Sequence, residues 1–278
     1  MAGNYGQLSY TSAPDRRDRL ERFVGEQGYS TILELSKLFG VSEMTIRRDV
    51  ARIVAEGRLR GFHGGVGSLS PLDMLGVDYR ARDLKMSEAK RAIAARALEG
   101  VAPRSVIALD AGTTGAQLAA MIPSDRHLTV ITPSLAVVSR LATNAGVEVI
   151  CLGGVLHPES LSFSGPSTLA AISNLHIETL FLAASGLNAR GVFCGNGFDA
   201  ITKRALIDVS GTVVLISDSS KFTTSAMVRT CEWDAIDRLI VDSGLRDVDE
   251  QMLAQYDIEI DKVALEPAPA ASSLETAR

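Results

Sequence analysis

Two groups of residues in this chain have the types and spacing to do chemistry. The first lies in STILELSKLFGVSEMTIRRDVARIVAEGRLR, residues 30–60. Met44, Thr45, Arg48 and Arg52 recur there at helical spacing, with Arg47 on the flank and Ile46, Val50 and Ile53 on the opposite face. Ser42 stands before them as an N-cap. A helix with an apolar back and a basic, hydrogen-bonding front fits a DNA major groove. Arg58, Arg60 and His63 follow in RLRGFHGG, whose alternation and glycines suit a β-hairpin wing lying along a phosphate backbone.

The second group sits where apolar runs end. Asp110, Gly112, Thr113 and Thr114 follow SVIAL, Thr132 and Ser134 follow LTVI, and Gly153 and Gly154 follow VEVICL. Gly186 and Asn188 follow ETLFLAAS, Asp218 and Lys221 follow TVVLIS, and Lys203 lies in CGNGFDAITKR. Amides and hydroxyls at the start of a helix make an anion cradle, which Gly112–Thr114 supply. Two lysines and several hydroxyls at one edge suit a small phosphorylated, polyhydroxylated ligand. Taken singly, each piece also has a plain structural use, as a cap, a turn or a surface charge.

Several elements must position these groups. Thr31 and Glu34 have the spacing of a capping box that starts a helix carrying Ile32, Leu35 and Leu38. Gly40 ends that helix, and the second helix runs from Ser42 to about Ala55. Leu20, Phe23 and Val24 place a first helix over residues 15–27 beneath the pair. Asp49 lies beside the apolar face and is assigned to structure, paired with a neighbouring arginine or a helix end. From Ser87 the texture changes to apolar strands alternating with helices, which means a mainly parallel sheet covered on both faces. Cys151 is expected in a buried strand. The expected organisation is a mobile N-terminus (1–13), a winged helix-turn-helix (14–66), a linker (67–86), an α/β effector domain (87–263) and a disordered tail (264–278).

The formal net charge is −5, which argues against a nonspecific nucleic-acid binder. Residues 1–66 nonetheless carry net +2 and the remainder net −7, and residues 47–60 hold five arginines against Asp49 and Glu56. Positive charge is therefore placed locally, on the element suspected of reading DNA. The three cysteines (Cys151, Cys194, Cys231) form no CxxC pair, so no metal site and no cofactor is expected, and reduced thiols in a cytoplasmic protein are. No run of 18 apolar residues and no signal-peptide pattern is present, so no membrane partner is expected.

VSEMTIRRDVARIVAEGRLRGFHGG resembles the N-terminal signature of the DeoR (DeoR/GlpR-type) bacterial transcriptional regulators, V-S-x-x-T-I-R-R-D followed by a wing ending in H-G-G. Val41, Ser42, Thr45, Ile46, Arg47, Arg48, Asp49, Gly57, His63, Gly64 and Gly65 carry the match. The later motifs are similar to the family's sensor domain: Lys90/Ile93/Ala94, Asp110/Gly112/Thr113/Thr114, Thr132/Ser134, Gly153/Gly154, Gly165/Pro166, Gly186/Leu187, Lys203 and Asp218/Ser220/Lys221/Phe222. The resemblance spans about residues 15–262. It implies a sensor domain resembling ribose-5-phosphate isomerases that binds a phosphorylated sugar or polyol as inducer. It also implies a repressor of a carbohydrate or polyol catabolic operon, with double-stranded operator DNA as partner. Pro133 replaces the family's usual asparagine, removing a side-chain donor and a backbone N–H, and His157 stands where an arginine is frequent.

An isomerase-like enzyme with an appended helix-turn-helix is the alternative. Proton abstraction beside a carbonyl needs a positioned base, and SGLN offers no carboxylate, leaving only Asp110 and Asp199 nearby. No catalytic residue is therefore assigned. Two DNA half-sites call for a symmetric homo-oligomer, a dimer or a tetramer.

Overall fold

A computed structural model of the chain describes residues 13–27, 29–62, 64–67 and 77–265. The stretches read as mobile N-terminus and tail lie outside the described residues over 1–12 and 266–278, as does part of the linker, 68–76. The chain divides into two units, residues 1–85 with 156–162, and residues 86–155 with 163–278.

The first unit opens with α1 (Ala13–Gln27), β1 (Tyr29–Thr31), α2 (Ile32–Phe39) and α3 (Glu43–Ala55). It continues with β2 (Arg60–Phe62), β3 (Gly65–Gly67) and α4 (Val77–Leu84). The helix α4 falls within the stretch read as linker. Both halves of the capping box form: Glu34 N–H donates to Thr31 Oγ1 at 3.1 Å, and Thr31 N–H donates to Glu34 Oε2 at 2.8 Å. Gly40 ends α2 in the left-handed region, at φ +65°, where glycine carries no steric penalty. The strands form an antiparallel sheet in the order β1-β3-β2, with Tyr29 and Arg60 both opposite Gly67. Leu20, Val24, Ile32, Leu35, Ile46, Val50, Ile53, Leu59 and Val66 make one buried core, so the helical spacing of these residues becomes packing. This is a winged helix-turn-helix, with β2 and β3 as the wing.

The second unit begins with α5 (Ser87–Glu99), β4 (Val106–Leu109), α6 (Thr113–Met121), β5 (Leu128–Thr132), α7 (Leu135–Leu141) and β6 (Val147–Cys151). There follow β7 (Val155–His157) and β8 (Ser162–Ser164), between which residues 156–162 count with the first unit, then α8 (Pro166–Ile172), β9 (Ile177–Leu182), β10 (Gly186–Asn188) and β11 (Gly191–Cys194). The last elements are α9 (Gly197–Asp208), β12 (Ser210–Ile216), β13 (Val228–Cys231), β14 (Arg238–Asp242), α10 (Asp247–Leu253) and β15 (Glu259–Val263). Seven strands form one sheet in the order β15-β14-β12-β9-β4-β5-β6, and every pairing in it is parallel. The fold class is thus α/β.

The central strands are buried over their carboxyl-terminal parts, as in Ile107–Leu109, Leu180–Leu182 and Val213–Ile216. Continuous apolar runs are what a parallel sheet covered on both faces demands. Cys151 corrects the expectation of a buried strand: it is exposed, because β6 is the outermost strand on its side. The strand β15, whose sequence EIDKV alternates charge with apolar residues, forms the other edge and was not anticipated. A small sheet, β10-β11-β13, packs α9 against β11 and β13. Among the described residues no helix is long and apolar enough to cross a membrane.

Candidate functional site

The DNA-reading candidate is built on α3. Ser42, extended at φ −62° and ψ 151°, caps the helix by accepting Thr45 N–H at 3.2 Å, and the Ser42 and Thr45 hydroxyls bond each other at 2.9 Å. Ile46, Val50 and Ile53 point into the core, which turns Met44, Arg47, Arg48 and Arg52 outward into water. The arginines are not equivalent. Arg47 approaches Glu43 at 3.7 Å and Arg52 donates to Glu56 at 3.3 Å, both exposed i,i+4 pairs of small worth. Arg48 has no partner among the described residues.

Asp49 takes the structural part expected of it. It is 4% exposed and accepts Arg16 Nε of α1 at 2.6 Å, a partner 33 residues away that no local spacing announces.

On the wing the expectation divides. Arg60 is exposed and lies over the Phe62 ring at 5.6 Å. The Arg58 guanidinium reaches Asp18 at 3.1 Å, Glu21 at 2.6 Å and Glu56 at 3.1 Å, tying α1 to the end of α3. The hydrogen bond to Asp18 holds Arg58 above the ordinary arginine value, with Glu21 and Glu56 adding to it against partial desolvation. His63 lies outside the described residues.

The effector candidate is set by strand order. Connections from β4 run to β5 on one side, while β9 and β12 lie on the other, so the sheet's order reverses between β4 and β9. At such a switch point the loops leaving the two strands part and open a crevice at their carboxyl ends. Asp110 leaves β4 at that place and Ala183 leaves β9. The Asp110 carboxylate accepts Ala183 N–H at 3.0 Å through Oδ2 and Ala111 N–H at 2.7 Å through Oδ1.

Lys203 of α9 completes the arrangement. Its ammonium pairs with Asp110 Oδ2 and donates to Ala183 O at 3.2 Å, with only 5% of the lysine side chain and 1% of the aspartate exposed. Burial pushes the Asp110 carboxyl up, against the pull of Lys203. The same burial works against the Lys203 ammonium, but Asp110 and Asp199 outweigh it and hold Lys203 above the usual lysine value. Lys203 is therefore no surface charge.

Directly after Asp110, Gly112 opens α6 with no side-chain cap. A Cβ on Gly112 would lie 2.7 Å from Ala183 Cβ, so only glycine lets the two loops approach this closely. The first helical amides have no intrahelical partner. The Thr113 and Thr114 hydroxyls beside them have none among the described residues either, at 7% and 6% exposure. Uncapped amides at the positive end of a helix, two hydroxyls and a nearby ammonium can hold an anion.

Other expected site residues are committed elsewhere. Thr132 and Ser134 are fully enclosed. Thr132 Oγ1 donates to Leu109 O at 2.6 Å and accepts Ser134 N–H at 3.0 Å, while Ser134 Oγ caps α7 by accepting Val137 N–H at 3.3 Å. Their hydroxyls lock β5 to β4 and start the next helix. Gly153 O accepts the Thr168 hydroxyl at 2.7 Å. Gly154, at φ +110°, sits where a Cβ would fall 2.2 Å from that hydroxyl, so this pair is turn chemistry. Gly186 is buried against the Thr224 carbonyl. Asn188 is exposed, and its Oδ1 accepts Arg190 N–H at 2.8 Å. Lys221 is half-buried in a turn, Ser219–Thr223, that packs on β10. Pro133 keeps a carbonyl that accepts Phe163 N–H at 2.7 Å, and His157 is half-buried. Ala183 went unanticipated because its contribution is entirely main chain. No cluster of potential metal ligands occurs among the described residues.

A winged helix whose second helix bears an exposed arginine, carried on the same chain as a parallel α/β domain with a polar switch point, has the make-up of a DNA-binding protein with a sensor. Residues 16–71 match the DeoR-like helix-turn-helix domain and residues 85–243 the DeoR C-terminal sensor domain. The chain belongs to the DeoR family and is a DNA-binding transcriptional regulator. It is 31% identical to the L-fucose operon activator of Haemophilus influenzae, over 87% of this chain and 97% of that one. It is 28% identical to the glycerol-3-phosphate regulon repressor of Escherichia coli, over 88% and 97%. Among solved structures, ribose 5-phosphate isomerase A of Methanocaldococcus jannaschii aligns with 48% of this chain and 52% of that one, at 16% identity and a TM-score of 0.35.

Proposed function

We propose that the chain represses a carbohydrate or polyol catabolic operon and is released from its operator by a phosphorylated sugar or polyol. The observation that carries the inducer is the uncapped start of α6 at the switch point, beside the enclosed Lys203. The phosphate sits on the amides and hydroxyls of Gly112–Thr114, with Lys203 and Lys221 supplying positive charge. Asp110 and the Asn188 carboxamide face the hydroxyls and select among sugars. A relative named for a glycerol-3-phosphate regulon supports a phosphorylated ligand. The operator is read by α3, from Ser42 to Arg52, with Arg60 and His63 of the wing on phosphates. The helix-turn-helix of about residues 14–66 and the effector domain of about 87–263 act as separate domains. The protein works in the cytoplasm as a homodimer or tetramer whose symmetry matches paired half-sites.

Catalysis is not part of this proposal. Asp110, the carboxylate of the crevice, is enclosed with Lys203 and bonded to two main-chain amides, and the proposal gives it a binding part.

Calorimetry with sugar phosphates and their unphosphorylated parents tests the ligand class. Phosphates should bind and release operator DNA, and Thr113→Ala should bind them more weakly while still holding the operator. Equal binding of the parent sugars overturns the anion cradle.

A further inference from the structure

Met44 is the second residue of α3 and is 68% exposed, an apolar side chain left in water at the front of the helix. Its neighbours there are mostly committed. The Ser42 and Thr45 hydroxyls bond each other, and Arg47 is approached by Glu43 at 3.7 Å. Met44 and Arg48 remain, one turn apart on one face, as front groups of the first turns with no hydrogen bond or ion pair among the described residues. They differ in chemistry: Arg48 offers a planar pair of donors, and Met44 offers only apolar surface.

The major-groove edges of the bases hold one apolar group, the thymine 5-methyl. An apolar side chain at the N-terminal end of a recognition helix, which is the end that reaches base edges, has that single complement. We infer that Met44 is a specificity-determining residue that reads a thymine methyl. Four residues of helix span about 6 Å, so that thymine lies within about two base pairs of the one Arg48 reads. The inference rests on α3 being the reading helix, and it assigns the chemistry of one position on it.

The test begins with a duplex selected by the full-length protein from a random library. Each thymine is then replaced singly by uracil, which removes the methyl and keeps the O4 acceptor. One position per half-site should lose affinity about fourfold for the wild type, the factor expected from exposing one buried methyl group. That loss should vanish in both Met44→Ala and Met44→Gln, the second of which keeps the length and discards the apolar end. A uracil series with no sensitive position, or a loss that persists in both variants, overturns the inference. A failure of α3 as the reading helix looks different: Arg48→Ala then binds the selected duplex as well as the wild type does.

Discussion

The front of α3 and the end of β4 hold their charges in opposite ways. On α3 the arginines stand in water, paired loosely with Glu43 and Glu56 or, for Arg48, with no partner among the described residues. At the end of β4, Lys203 and Asp110 are enclosed together and tied to both sides of Ala183. Exposed charges keep their hydration until a partner arrives and are screened by salt, which suits encounter with a polyanion. Enclosed charges give up hydration once, on folding, and gain a fixed position. A groove read by a helix tolerates mobile side chains. A small ligand recognised by a few contacts needs its site already in place.

The largest effect should come from breaking the enclosed pair. Lys203→Met leaves the Asp110 carboxylate buried without its counter-charge, and about 3–5 kcal/mol of stability should be lost. The double variant Asp110→Leu/Lys203→Met should lose less than Lys203→Met alone, since no uncompensated charge remains. Urea unfolding of the three proteins measures this. A loss below about 1 kcal/mol for Lys203→Met would place the pair in water and erase the contrast with α3.

The same contrast decides how much could be read before the fold was known. A recognition face needs only the helical repeat: Ile46, Val50 and Ile53 go inward, and Met44, Arg48 and Arg52 are thereby turned out. The crevice needs the strand order. Asp110 and Lys203 are 93 residues apart, and their union depends on β9 lying beside β4, which no local pattern states. Motifs marked both residues as important but left them as separate ligand contacts. The surroundings of Thr132 and Ser134 are illegible for the related reason that a hydroxyl at a strand end looks the same whether it faces a ligand or caps a helix. So are those of Arg58, because its three carboxylate partners come from α1 and Glu56, and the alternation of the wing says nothing about them.

A smaller effect should follow at the exposed end of the comparison. Arg48→Ala should weaken operator binding by about 1–3 kcal/mol, the worth of one bidentate arginine–guanine contact, and relax preference at that base. Its folding stability should stay within about 0.5 kcal/mol of wild type, as for a surface position that touches nothing. Fluorescence anisotropy on selected and scrambled duplexes, with a thermal melt beside it, separates the two readouts. Equal weakening on both duplexes would make Arg48 a phosphate contact and remove it from base reading.

The smallest expected effect divides the two wing arginines, which stand two residues apart. Arg60 is exposed over Phe62, and a guanidinium stacked on a ring is oriented without being neutralised. Arg58 is held by Asp18, Glu21 and Glu56, so reaching a phosphate would mean leaving three carboxylates. Each phosphate contact adds about 0.9 to the slope of log affinity against log salt. Arg60→Ala should therefore lower that slope by about one unit per protomer on DNA, across selected and scrambled sequences alike. Arg58→Ala should leave the slope where it was and lower the melting temperature of the winged helix, because what it removes is a link between α1 and α3. If the slope falls equally in both variants, Arg58 exchanges its carboxylates for phosphate on binding, and the wing carries one more DNA contact than proposed.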